Sequence, residues 1–181
     1  MQLIAQIVVD DYRHGGTRMS DSILLLFLFA FTLHNLEEGI WLTRQQSSEK
    51  SKVKMHKTVT QDEFLFGLFW VTSLAYLITA LYIFYPSAEL FKYAYFGYVG
   101  AMILNVFFPH LISTVIERYY SPGLFTGLMV ILPINSLIIK TAIELETITI
   151  LQFIISTLIV SIVLVLSIPI SFKVGKRLIT F

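Results

Sequence analysis

The sequence contains no cysteine. That excludes disulfides, iron–sulfur clusters, thiolate zinc sites and a cysteine nucleophile. Charge is scarce too. Asp, Glu, Lys and Arg make up 14% of the 181 residues and the formal net charge is +1, whereas soluble domains run at about a quarter charged. With so little positive excess there is no basic field to hold a nucleic acid. Internal repeats and low-complexity stretches are also lacking. What is abundant is apolar side chain: 56% of residues are hydrophobic and the mean hydropathy is +0.76. That content excludes disorder and argues against a soluble globular domain.

The apolar residues fall in long blocks. A transmembrane helix needs about 20 mostly apolar residues, and five stretches qualify: Asp21 to Leu42, Gln61 to Phe84, Ala88 to His110 or a little beyond, Pro122 to Ile139, and Ile148 to Phe172. Runs such as Ile23 to Phe29 and Leu158 to Ile170 lack the alternation of a barrel strand, so the reading is an all-α, five-helix transmembrane bundle spanning residues 21–172. Met1 to Asp10 is too short to span, and residues 1–20 are expected to form an interfacial tail. Residues 173–181 form a basic C-terminal tail. Ser121-Pro122-Gly123 reads as an N-cap followed by proline at the first helical position. Gly123 and Gly127 make a small-residue face for a close neighbour. Tyr82, Tyr85, Tyr93, Tyr95, Tyr119 and Tyr120 cluster near span ends, as interfacial anchors do. Glu63 suits the positive end of a helix start.

Five spans put the termini on opposite sides. Arg13, Arg18, Lys92 and Lys140 lie on one side. Arg44, Lys50, Lys52, Lys54, Lys57, Arg118, Lys173, Lys176 and Arg177 lie on the other. The split of 4 against 9 predicts N-terminus out and C-terminus in. The expected location is the bacterial cytoplasmic membrane, as a multi-pass protein among membrane lipids. The Lys50 to Lys57 cluster answers to this rule and to anionic headgroups, and His14 and His56 fall in polar, solvated segments.

The first span also carries His34-Asn35-Leu36-Glu37-Glu38. A charge near a helix centre costs about 2.5–3.5 kcal/mol on insertion scales, and packing does not require it. His34, Glu37 and Glu38 stand at i, i+3 and i+4, on about a third of the helix circumference. One imidazole and two carboxylates so arranged make a metal-binding edge; the plainer reading is a polar clamp that fixes helix packing. The third span supplies Asn105 and His110. His34 lies ten residues before Arg44, about 15 Å along a helix; His110 lies eight before Arg118, about 12 Å. The groups therefore overlap in depth. Pro109 cannot bond to the carbonyl of Asn105, and a kink there would turn Asn105 and His110, otherwise about 140° apart, toward one cavity. Asn135 and Pro133 in the fourth span are further candidates for that cavity.

His34, Glu37 and Glu38 spell H-x-x-E-E, and the chain resembles the bacterial membrane proteins grouped as HXXEE-domain proteins. The Asn105…His110 element and Ser121-Pro122-Gly123 correspond to its second and third motifs. The role of that family is unassigned, so the resemblance implies a site without naming a reaction. The intramembrane glutamate proteases of the CAAX-processing type compare poorly. Arg44 follows Glu37-Glu38 too late, Phe107 precedes His110 by three residues, and no histidine follows His110.

Two His, two Glu and one Asn suit Zn²⁺ or Fe²⁺, zinc before iron, over Ca²⁺ or Cu(I). The set is short of a di-iron site. The leading assignment is His34, Glu38 and His110 as metal ligands, Glu37 as general base and Asn105 as a catalytic orienting group, with the two glutamates exchangeable. Such a protein would be a metal-dependent membrane hydrolase acting on a lipid-like or amphipathic substrate. The alternative is a non-enzymatic transporter or cation- or proton-binding module, for which a homodimer would supply the repeated halves common in transporters. A retinal-type protein would need a mid-span lysine, and Lys92 and Lys140 lie at span ends.

Overall fold

The computed structural model describes residues 19–46 and 59–179. Every regular element among them is helical. In chain order these are α1 (Asp21–Gln46), α2 (Gln61–Phe84), α3 (Glu89–Asn105), a wide turn over Val106–Leu111, α4 (Ile112–Glu117), the single turn α5 (Leu124–Thr126), a second wide stretch over Gly127–Ile131, α6 (Leu132–Glu144) and α7 (Ile150–Ile179). Five helical stretches are long and apolar enough to cross a membrane: Asp21–Trp41, Gln61–Phe84, Glu89–Glu117, Leu124–Glu144 and Ile150–Leu178. The expected five-span, all-α bundle is therefore present. The expected tail at Met1 to Asp10, the Lys50 to Lys57 cluster, and His14 and His56 fall outside the described residues.

The third span is central. α3 packs on α2, α6 and α7, while α1 packs on α2 and on the fourth span. Gly97 and Gly100 let α7 approach α3 closely. A Cβ on either would overlap Ser156 or Thr157, so any larger residue would push the helices apart. The core is aromatic: Phe27 and Phe31 of α1 stack on one another, and both meet Tyr98 edge-on. Buried tyrosine hydroxyls need partners where no water is available. Tyr95 donates to the Leu24 carbonyl at 2.9 Å and Tyr98 to that of Val71 at 2.6 Å.

These contacts correct the reading of Tyr82 and Tyr95 as interfacial anchors, because both are buried in the core. Glu63 is as expected at a helix start. It closes a capping box, accepting from the Thr60 amide while its own amide donates to the Thr60 hydroxyl. Asn135 does not join the polar cavity; it donates to the Val99 carbonyl at 2.9 Å. α7 runs on to Ile179, so Lys173, Lys176 and Arg177 ride on its last turns.

The fourth span begins two residues later than its sequence signal. Gly123 takes φ +89°, a left-handed conformation open to glycine at little cost, and the helix starts at Leu124. Ser121 is therefore not the N-cap. Its carbonyl accepts from the Leu124 amide, and its side chain points elsewhere, as described next.

Candidate metal centre

The third span kinks at Pro109, where the amide donor is missing. The Phe108–Pro109 peptide is cis, and Phe108 leaves helical geometry at φ −135°, ψ 117°. Across this kink, Asn105 and His110 turn to the same side, with Asn105 Nδ2 3.0 Å from His110 Nε2.

Across the interface, α1 presents His34 and Glu38 one turn apart. Glu38 Oε1 lies 3.4 Å from His34 Nε2 and 2.8 Å from His110 Nε2. Asn105 Nδ2 also lies 3.3 Å from His34 Nε2. The imidazoles stand edge to face, 5.1 Å between centroids. One ligand atom each from His34, Glu38 and His110 fall within 4.8 Å of one another. The three residues expose only 1%, 9% and 5% of their surface. The cluster thus unites the three residues assigned from sequence as ligands, with Asn105 beside them.

The connection between the third and fourth spans closes over this group. Ser121 Oγ lies 3.3 Å from His110 Nδ1, and Thr126 Oγ1 lies 3.2 Å from His34 Nδ1. Each imidazole therefore has its Nδ1 engaged by a hydroxyl and its Nε2 turned to the centre, as metal-binding histidines commonly do. Gly123 presses its α-carbon against the cluster. A Cβ there would meet His34, Glu38 and His110 at 2.8–3.0 Å. Gly127, on the same face, lets Val106 approach.

Glu37 lies outside the cluster. Its Oε1 accepts from the Gly123 amide at 3.1 Å and from the Tyr120 hydroxyl. Its Oε2 accepts from the Thr126 amide at 2.8 Å and the Thr126 hydroxyl at 2.6 Å. A carboxylate offers about four lone-pair sites, and all are taken. Glu37, the general base of the sequence reading, thus faces the start of the fourth span and not the cluster. The first span instead caps the start of the fourth. Tyr120, read as an interfacial anchor, is a partner of this carboxylate and packs on Trp41 at 5.8 Å between ring centroids. Partial burial, with the bond to Glu37, pushes its phenol up to about 12, so it remains a donor at neutral pH. Thr126 carried no sequence signal, and that of Tyr120 pointed only to the interface. Asn35 faces away from the cluster and donates to Thr72 Oγ1 on α2 at 2.7 Å.

Fold and site together define a multi-pass membrane protein with a buried His–Glu–His cluster between its first and third spans. The profile of a family described as "Protein of unknown function with HXXEE motif" matches residues 25–138. The chain belongs to that HXXEE family. It is 44% identical over 153 residues to the "Uncharacterized protein YrkK" of Bacillus subtilis (strain 168), covering 83% of this chain and 94% of that one. No solved structure matches it.

Proposed function

We propose that the protein is a metal-dependent membrane hydrolase whose centre is His34, Glu38 and His110, acting on a lipid-like or amphipathic substrate. The observation that carries this reading is the convergence of two imidazole nitrogens and one carboxylate oxygen within 4.8 Å in a part of the chain that lipid would otherwise surround. Two His and one carboxylate suit Zn²⁺ first and Fe²⁺ second. A divalent ion so held supplies Lewis acidity and lowers the pKa of a bound water to about 7. His34, Glu38 and His110 hold the ion. Asn105, within 3.3 Å of both imidazoles, orients the reacting group. The basic count supports a position for this centre in the cytoplasmic half of the bilayer.

The engagement of Glu37 favours a second reading, a cation-binding module without turnover, because among the described residues no spare carboxylate stands beside the cluster to act as base. Elemental analysis of the purified protein is the first test. About one equivalent of zinc or iron is expected in the wild type and its loss in Glu38→Ala; a metal-free wild type that takes up neither ion refutes both readings. Turnover of a fluorogenic phospholipid or acyl ester by the loaded protein then supports the hydrolase. Metal-dependent cation uptake into proteoliposomes without turnover supports the module.

A further inference from the structure

We infer that Glu37, the first glutamate of the H-x-x-E-E motif, is a positioning residue that works through Thr126 to hold His34 with its proton on Nδ1 and its Nε2 lone pair free to accept from Asn105. The two adjacent glutamates then have separate tasks. Glu38 belongs to the cluster, and Glu37 orients the histidine one turn before Glu38 without touching it.

Counting protons sets the direction. The Thr126 hydroxyl has one proton and two lone pairs. Its oxygen lies 2.6 Å from Glu37 Oε2, 3.2 Å from His34 Nδ1 and 3.4 Å from the Gly123 carbonyl. The short contact is a charge-assisted one, so the proton is committed to Glu37. Toward His34 the hydroxyl can then only accept, and His34 Nδ1 must donate. In the neutral ring that leaves Nε2 unprotonated. On the opposite side of the ring, Nε2 meets a donor, Asn105 Nδ2 at 3.3 Å, and an acceptor, Glu38 Oε1 at 3.4 Å; with the ring's proton held at Nδ1, Nε2 accepts from Asn105. Glu37 is itself held, because the amides of Gly123 and Thr126 each donate to one of its oxygens. The order of control runs from the start of the fourth span, through Glu37 and the Thr126 hydroxyl, to His34. A carboxylate orienting a metal histidine directly is common; here a hydroxyl stands between them. His110 lacks this arrangement, since among the described residues no carboxylate fixes the proton of Ser121 Oγ, which stands at its Nδ1.

The functional meaning rests on the metal-site reading, but the tautomer can be measured without any metal. Metal-free protein labelled with ¹⁵N-histidine in detergent micelles would be examined by two-bond ¹⁵N–¹H correlation, with the His34 signals assigned by their loss in His34→Gln. The wild type and Thr126→Ser should show His34 protonated on Nδ1. Thr126→Val, which keeps the shape and removes the hydroxyl, should show a mixture or the Nε2–H form. Co²⁺ titration should give Thr126→Val a 10–100-fold weaker affinity, with Thr126→Ser restored to near the wild type. A wild-type His34 protonated on Nε2 overturns the inference, and that measurement needs no variant of Thr126 to fold. So does a Thr126→Val protein with wild-type His34 signals. A wild type that binds no Co²⁺, yet changes tautomer in Thr126→Val, supports the positioning role and refutes the metal site.

Discussion

Gly123→Ala is the sharpest perturbation of the centre, because one added methyl meets all three proposed ligands. Its Cβ would lie 2.8 Å from His34 Cε1, 2.9 Å from Glu38 Cγ and 3.0 Å from His110 Cε1. Carbon atoms rest at about 3.5–4.0 Å, so each group would have to retreat by about 0.5–1 Å. Binding constellations tolerate about 0.5 Å. The backbone adds its own cost: φ is +89°, and the left-handed region costs an alanine about 1–2 kcal/mol. Overpacking adds about 1–3 kcal/mol, for a total of about 2–5 kcal/mol against the closed turn. If 2 kcal/mol of this falls on the binding-competent form, Co²⁺ affinity drops about 30-fold. Gly127→Ala is the control. Gly127 has φ −56° and the nearest atoms to its Cβ would be those of Val106, so it should lower the thermal midpoint and leave affinity within about threefold. Titration of both variants in detergent, with melting curves, decides the matter. A Gly123→Ala protein that binds and melts like the wild type would refute the packing of this turn on the cluster.

The close α3–α7 contact predicts that Gly100→Ala destabilises by about 1–3 kcal/mol, since its Cβ would overlap Thr157. Adding Thr157→Ala removes a hydroxyl that has no partner and should restore most of the thermal midpoint; a double variant no better than the single one contradicts this. Asn135→Leu gives up one interhelical bond to Val99, worth about 0.6 kcal/mol. It also removes a buried oxygen without a partner, which costs about 1–3 kcal/mol. The midpoint should therefore hold or rise, and a large fall would show the bond to be essential. For orientation, a C-terminal green fluorescent protein should fluoresce and a C-terminal alkaline phosphatase should be inactive; the converse reverses the assignment.

The spans were legible because lipid imposes one rule on every residue in them, and length with hydropathy states that rule directly. Of the site, His34, Glu38, Asn105 and His110 were legible for the opposite reason. They break the rule, and rise per residue fixes their depth. The distortion at Pro109 was legible as a missing donor. The roles of the two glutamates were not. Adjacent residues on a helix point about 100° apart, which says that Glu37 and Glu38 face different neighbours without saying which. The answer lies in the connection at residues 118–126, whose path depends on left-handed turns at Arg118 and Gly123. Ser121 was misread as a cap for the same reason, because the true capping groups come from Glu37 on another helix. The buried positions of Tyr82 and Tyr95 were missed because both hydroxyaromatic anchors and core tyrosines look alike in sequence.

A polar clamp and a metal centre make opposite predictions for one variant. Within the motif, Asn35 already does a clamp's work through Thr72, whose hydroxyl in turn donates to the Leu68 carbonyl. Glu38 is different, for its partners are the Nε2 atoms of two imidazoles, and Asn105 brings a fourth polar atom to the same point. Packing alone does not need that convergence. Replacing a buried charged group and its partners by apolar residues of similar volume is often neutral or stabilising by about 1–4 kcal/mol. The triple variant His34→Leu, Glu38→Met, His110→Leu should therefore insert and melt at or above the wild-type midpoint while losing metal binding altogether. Removing Glu38 alone, by Glu38→Met, leaves two buried imidazoles against an apolar side chain, with His110 deprived of its carboxylate at 2.8 Å, and should be the less stable protein. If the triple variant instead melts lower than the single one, the three side chains are there to hold the helices together, and the cluster is a clamp.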